Sequence, residues 1–180
     1  MNFIYEPAED SYLLSKAVKE NIKKLIGRNE NFTFLEMGSG SGIILKSAFD
    51  SGIKKENIFS CDINPEAVAE CKKLGFNCVK SNLFQKIKGK YNLIVFNPPY
   101  LPLDKNEPEN SRLGTTGGKI GSELANKFLK QAKKHMSRNG RIFLVVSSLT
   151  KGLDFKGYKK KKIGEEKLFF EKLFVYELRR

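Results

Sequence analysis

Two short segments hold the residues whose types and spacing could do chemistry. The first is the run 35–42, LEMGSGSG, with glycine at positions 38, 40 and 42. Glycine lets a backbone turn sharply and approach a ligand with no Cβ in the way. A helix starting after such a turn offers unpaired N–H groups. Asp62 stands twenty residues beyond Gly42, where a carboxylate can accept both hydroxyls of a ribose. The second segment is Asn97-Pro98-Pro99-Tyr100. Two prolines remove backbone donors and stiffen the turn. They leave a carbonyl beside the asparagine amide oxygen as two fixed acceptors. Such a pair suits a planar NH₂ group, on an amide or on the exocyclic amine of a base. Holding both hydrogens turns the nitrogen lone pair toward an incoming methyl. Tyr100 can cover the flat acceptor group by stacking.

The glycine turn and Asp62 together point to an adenosine-type cofactor. A P-loop is excluded, because Gly118-Lys119 is followed by Ile120 rather than Ser or Thr. The dinucleotide pattern G-x-G-x-x-G fails too, since the third glycine falls one place early. Glu36 precedes the first glycine by two residues. A carboxylate aimed into the turn repels a pyrophosphate but suits an ammonium or sulfonium charge. S-adenosylmethionine (AdoMet) carries both and is the expected cofactor.

These residues need elements to position them. Apolar residues recur at helical spacing over 10–26, and strand and helix then alternate. Strands are predicted at 32–37, 57–63, 76–80, 91–97 and 141–147, and helices at 42–52, 65–75 and 122–136. Pro65 opens and Gly75 closes the second of these helices. Such alternation implies right-handed crossovers and a parallel sheet covered on both faces. The segment 101–116 reads as a long loop. The last thirty residues hold a lysine run at 159–162 and then an end that reads as a strand. An antiparallel pair closing one sheet edge fits them. No repeat or linker divides the chain, so one domain over 1–180 is expected.

The segments YEPAEDSYLL (5–14), LEMGSGSG (35–42), DINPEA (62–67), NPPY (97–100) and GGKIG (117–121) together resemble a known family. They look like those of AdoMet-dependent methyltransferases of the release-factor glutamine methyltransferase (HemK-related) group. The chain is most similar to the archaeal and eukaryotic branch, which lacks the bacterial N-terminal helical domain. The resemblance covers roughly residues 4–147 and implies an α/β, Rossmann-like class I fold. That fold is a doubly wound, mostly parallel sheet with an antiparallel C-terminal edge.

The resemblance also implies methylation of the glutamine side-chain nitrogen in the Gly-Gly-Gln motif of the class 1 peptide release factor. By motif match, Ser11 lies near the AdoMet amino-acid moiety, and Glu36, Gly38 and Gly40 line the cofactor turn. Asp62 holds the ribose, and Asn82 with Leu83 borders the adenine. Asn97 grips the acceptor amide, and Pro98, Pro99 and Tyr100 complete the acceptor turn. The glycines of GGKIG fit a mobile flap over the acceptor. The family implies a small zinc-binding activator protein on the edge strand 76–80. Two departures stand out. Asn82 replaces the usual aspartate, and the chain after Ser148 is too short for the usual last crossover helix.

On the residues alone, other acceptors stay open, namely an adenine-type amine of a nucleic acid or a protein lysine. So does a non-catalytic AdoMet-binding subunit. The 180 residues include 33 basic and 20 acidic ones, a net charge of +13. That field suits a polyanionic partner such as nucleic acid, or reflects lysines on solvated surfaces. The first ten residues lack an apolar signal core, and no apolar run approaches the ~20 residues of a membrane span. Cys61, Cys71 and Cys78 have neither zinc-knuckle spacing nor an even count. His135, among lysines, reads as solvated. No metal site and a cytoplasmic location are the expectations.

Overall fold

The computed structural model of the protein describes residues 4–27 and 29–180, with the side chains of 109, 110 and 113 left aside. The helical spacing near the start becomes α1 (Glu9–Ile26), which buries Leu13, Leu14, Ala17, Val18 and Ile22 along one face. Alternation then follows as β1 (Phe34–Met37), α2 (Ile43–Asp50), β2 (Ile58–Asp62), α3 (Pro65–Lys73), β3 (Asn77–Lys80) and β4 (Tyr91–Phe96). The next elements are β5 (Leu101–Pro102), α4 (Glu109–Thr115), β6 (Thr116–Gly118) and α5 (Glu123–His135). The chain closes with β7 (Met136–Ser147), β8 (Lys159–Lys167) and β9 (Lys172–Arg179).

Seven strands form one sheet in the order β3-β2-β1-β4-β7-β9-β8. The first five run parallel, while β9 is antiparallel to both β7 and β8. Successive residues of each inner strand face opposite sides. Phe34, Leu93, Val95 and Phe143 pack with α1, α2 and α3. Leu35, Ile94, Phe96 and Leu144 pack with Phe128, Leu129 and Ala132 of α5. Both faces are covered, which is why these strands read as nearly continuous apolar runs.

Strand order reverses between β1 and β4, whose ends lie side by side with Met37 opposite Phe96. Cys61, next to Asp62, lies opposite Met37 on the other side. The glycine turn, Asp62 and Asn97 therefore meet at one topological switch point, where open α/β sheets bind ligands.

The sheet and its antiparallel edge match the expectation, and the described residues between β7 and β8 contain no helix. Three details differ. The segment 101–116 is more than a loop, because β5 pairs with β6 in a two-stranded parallel sheet. Between them Glu107 accepts from Ser111 at 2.9 Å, from Thr116 at 2.6 Å and from Thr115. Polar bonds of this kind leave no apolar periodicity to read. β7 starts earlier than expected, with a register irregularity between Tyr91 and Leu93 of β4. His135 stacks on Phe84 at 4.6 Å rather than standing free. β3 lies at a sheet edge, as expected. No described helix is long and apolar enough to cross a membrane.

Candidate active site

A crevice of about 530 Å³ runs along the carboxyl ends of β1, β2 and β4. Its floor is the glycine turn. Gly38 and Ser39 donate backbone N–H groups to the Cys61 carbonyl at 2.8 and 3.2 Å. Gly38, Gly40 and Gly42 have φ of 71, 46 and 78°, a region that side chains disfavour. Asp62 ties the turn down, accepting from Gly40 N at 3.0 Å and from Asn64 N at 2.8 Å. Each carboxylate oxygen keeps a lone pair for a ligand hydroxyl. Asn64 in turn caps α3 by accepting from Glu66 N at 2.9 Å.

Two acceptor atoms in the crevice wall are buried without a donor, Glu36 Oε2 and Asn97 Oδ1. Leaving a buried acceptor unpaired costs about 1–3 kcal/mol, a cost that a ligand donor reaching either atom would remove. Burial, and next the charge of Asp62, push the Glu36 carboxyl well above the usual range, partly offset by a hydrogen bond from the Leu45 backbone. AdoMet fits this wall. Its ammonium group would offer donors to the buried Glu36 carboxylate, its ribose hydroxyls would suit Asp62, and the glycine floor leaves no Cβ in the way.

Glu36 provides a test through pH. Its raised pKa keeps a proton on the folded chain that the unfolded chain has already lost. Ionising it above the ordinary value of about 4.3 therefore costs stability as pH rises toward the folded pKa. A cationic ligand favours the ionised form, so AdoMet binding should release a proton and strengthen with pH across that window. Glu36→Gln should gain thermal stability over the wild type as pH rises above about 4.3. It should bind AdoMet about tenfold more weakly and without proton release, since hydrogen bonds to charged groups contribute about 1.5–3 kcal/mol. Calorimetry in buffers of different ionisation enthalpy reads the proton. Equal apparent heats for the wild type in all buffers would contradict the assignment.

The remaining expected residues divide. Ser11, Asn82, Leu83 and Pro99 line the crevice with Glu36, Gly38, Gly40, Asp62 and Asn97. Leu83 has φ 49°, alone among described non-glycine residues in being positive. Ser81 Oγ holds it by donating to the Leu83 carbonyl at 2.8 Å. Pro98 and Tyr100 do not line the crevice. The Tyr100 hydroxyl donates to Asp10 Oδ2 at 3.3 Å, and Tyr5 donates to the same oxygen at 3.0 Å. Burial and the Asp10 charge raise the pKa of both phenols. Through its hydroxyl Tyr100 ties the turn after β4 to the start of α1.

Asp10 also accepts from Ser11 N at 2.6 Å and Ser11 Oγ at 3.2 Å. Ala8 occupies the N-cap position of α1, with no side-chain cap. The GGKIG segment is packed down rather than loose. A Cβ on Gly117 would collide with the backbone carbonyls of Pro99 and Gly121, and one on Gly121 with that of Tyr100. Sequence reasoning missed Ile63, Phe96, Arg112, Leu124 and Lys127, which also line the crevice. Arg112 Nε is buried without an acceptor. It sits in the segment that had no periodicity to read.

This strand order, with helices on both faces and a glycine turn held by the Asp62 carboxylate, defines a class I, Rossmann-like methyltransferase that uses AdoMet. A solved class I S-adenosylmethionine-dependent methyltransferase from Listeria monocytogenes shares the fold. It superposes with a TM-score of 0.66 at 11% identity, over 98% of this chain and 64% of that one. The chain belongs to the family described as "Methyltransferase small domain", which it matches over residues 11–161, and within it to the HemK-related glutamine methyltransferases. A Methanocaldococcus jannaschii protein named as a protein N5-glutamine methyltransferase is 36% identical over 155 residues, 82% of this chain and 74% of that protein. The catalytic subunit of the eRF1 methyltransferase of Schizosaccharomyces pombe is 28% identical over 172 residues, with 82% and 74% covered.

Proposed function

We propose that the chain methylates the side-chain nitrogen of the glutamine in the Gly-Gly-Gln motif of a class 1 peptide release factor. One observation carries this reading. Asn97 Oδ1 is buried and lacks a donor, in the same wall as the orphaned Glu36 oxygen. In this reading Asn97 Oδ1 accepts one hydrogen of the substrate amide, and the carbonyl of Pro98, next in the turn though outside the crevice lining, is the candidate acceptor for the other. The nitrogen lone pair then faces the methyl group, held at about 3–3.5 Å. Bound AdoMet would supply an electrophilic methyl on a sulfonium that leaves as a neutral thioether, and the methylated nitrogen would give up one of its two hydrogens to solvent as a proton. Asp62 holds the ribose, Asn82 and Leu83 border the adenine, and Ser11, Glu36, Gly38 and Gly40 surround the amino-acid moiety. Arg112 is available to the cofactor carboxylate. Pro99 stiffens the turn, and Tyr100 keeps it in register through Asp10.

The Asn82 amide oxygen accepts from the adenine amino group in place of an aspartate. Neutral acceptors suit an uncharged amide better than a lysine ammonium. Residues 1–180 act as one catalytic domain in the cytoplasm, where release factors work. The test uses AdoMet labelled in its methyl group, offered to release factor, to release factor with the motif glutamine replaced, and to RNA. Label should enter the intact release factor alone. Label in RNA, or in the glutamine-replaced protein, would overturn the reading.

The open edge of β3 is where the activator subunit implied by the resemblance would dock. It has four residues, pairs only with β2, and leaves Val79 exposed. A small zinc-binding partner adding a strand there would cover the open edge by β-augmentation. The chain expressed alone should then be poorly soluble and weakly active. Full activity without a partner rules out an obligatory activator.

A further inference from the structure

The β8–β9 hairpin turns at Phe169-Phe170, and nothing in folding requires phenylalanine there. Their relative exposures are 93% and 86%, and the rings meet only each other, edge to face at 4.7 Å. The turn closes through Leu168 N donating to the Glu171 carbonyl at 2.8 Å. Tight turns favour Gly, Asn, Asp and Pro for conformational reasons that phenylalanine does not meet. A local rule broken with no packing gain marks a functional position.

Topology places this tip beside the acceptor site. Because β9 runs antiparallel to β7, the turn leading into β9 lies at the carboxyl end of β7, on the crevice side of the sheet. Ser148 N donates to the Lys172 carbonyl at 2.8 Å, and Lys172 N to Ser148 Oγ at 3.0 Å. Two residues on, Thr150 Oγ1 donates to the Tyr100 carbonyl at 3.0 Å. The Glu171 charge acts on the hydroxyls of Tyr5 and Tyr100.

Other exposed apolar side chains gather on the same side. Leu103, Ile120 and Leu149 are 47%, 49% and 42% exposed. Leu103 N donates to the Gly118 carbonyl at 2.9 Å, which ties it to the segment carrying Ile120. Leu149 precedes Thr150. Five of the nine exposed large apolar side chains among the described residues thus sit on segments at the carboxyl end of the sheet, the end that carries the crevice. The lysine run 159–162 lies at the far end of β8, since Lys159 pairs with Arg179 while Lys167 pairs with Lys172 at the turn.

We propose that Phe169 and Phe170, with Leu149 beside them, form a docking site for an apolar patch on the substrate protein near its target glutamine. Exposed apolar patches of this kind mark interaction surfaces. Glu166, Lys167, Glu171 and Lys172 flank the turn with balanced charge, so an apolar patch rather than a charged one fits the tip. The proposal rests on the protein-directed activity above. An apolar tip at the crevice end of the sheet, with the densest basic run far from it, favours a protein over a nucleic acid.

The test compares wild type with the double variant F169S/F170S on two acceptors, intact release factor and a short Gly-Gly-Gln peptide that does not reach the hairpin. KM for the intact protein should rise at least about tenfold, as expected for loss of an aromatic anchor. Turnover at saturation, peptide methylation, AdoMet affinity and melting temperature should stay at wild-type values. F169L/F170L should restore most of the lost affinity. An unchanged KM for the protein, or an equal loss on protein and peptide, removes the docking site while leaving the activity standing. Wild-type protein that labels neither acceptor removes the activity and the docking site together. A rise in KM for RNA in the double variant would assign the tip to nucleic acid, and a wild-type dimer lost in the double variant would assign it to a second copy of the chain. Either result overturns the proposal.

Discussion

Replacing Asn97 by alanine should lower methyl transfer by roughly 10²–10³ while AdoMet still binds within several-fold of wild type. The magnitude is that of removing one preorganised dipole from an active site. The asymmetry between turnover and binding comes from where the side chain points. Asn97 Oδ1 is a buried acceptor with no partner, so its full hydrogen-bonding capacity is free for the substrate. That contact strengthens as positive charge develops on the attacking nitrogen, so it favours the transition state over the ground state. In the proposed site, cofactor affinity rests mainly on the turn at Gly38–Gly40 and on Asp62, which Asn97→Ala does not alter. Single-turnover methylation with saturating AdoMet, together with calorimetry, separates the two. Asn97→Asp sharpens the test, because it keeps an acceptor and adds a charge. An amide acceptor should retain partial activity there, whereas a lysine acceptor should gain. Wild-type turnover in Asn97→Ala would remove the proposed acceptor grip.

Gly117→Ala should cost about 10² in turnover although residue 117 need not touch either substrate. Its added Cβ would lie on the carbonyl oxygens of Pro99 and Gly121. Both are backbone atoms, so neither can swing aside as a flexible side chain would. Either the GGKIG segment lifts or the N-P-P-Y turn moves, and a shift near 1 Å at a reacting centre costs about that factor. Overpacking of this kind also destabilises by about 1–3 kcal/mol, which for this chain length lowers the melting temperature by about 2–4 °C per kcal/mol. AdoMet affinity should stay near wild type, since the glycine floor and Asp62 lie elsewhere in the crevice. Thermal melts and steady-state rates on the same preparation check both halves. A stable variant with wild-type turnover would show that the segment does not hold the acceptor turn.

The amino-acid sequence determined the parts whose requirements are local. Gly38, Gly40 and Gly42 must take positive φ, Asp62 must end the next strand, and N-P-P-Y must stiffen a strand end. Each is a demand on neighbouring residues and was legible in the chain. The alternation of strand and helix was equally plain, because strands buried on both faces and amphipathic helices write distinct periodicities. The antiparallel C-terminal edge could be read from the strand-like tail that no helix precedes.

What the tertiary structure alone decided is which of these parts meet. The Tyr100 hydroxyl reaches Asp10 across ninety residues, so the turn after β4 is tied to the start of α1. Glu107 folds the segment 101–116 through hydroxyls and carries Arg112 into the crevice wall. Phe169 and Phe170 come to the carboxyl end of the sheet only because β9 pairs antiparallel with β7. Such meetings depend on strand order and register between segments far apart in the chain. Backbone pairing sets them, and a periodicity confined to one segment carries no trace of the partner it will find.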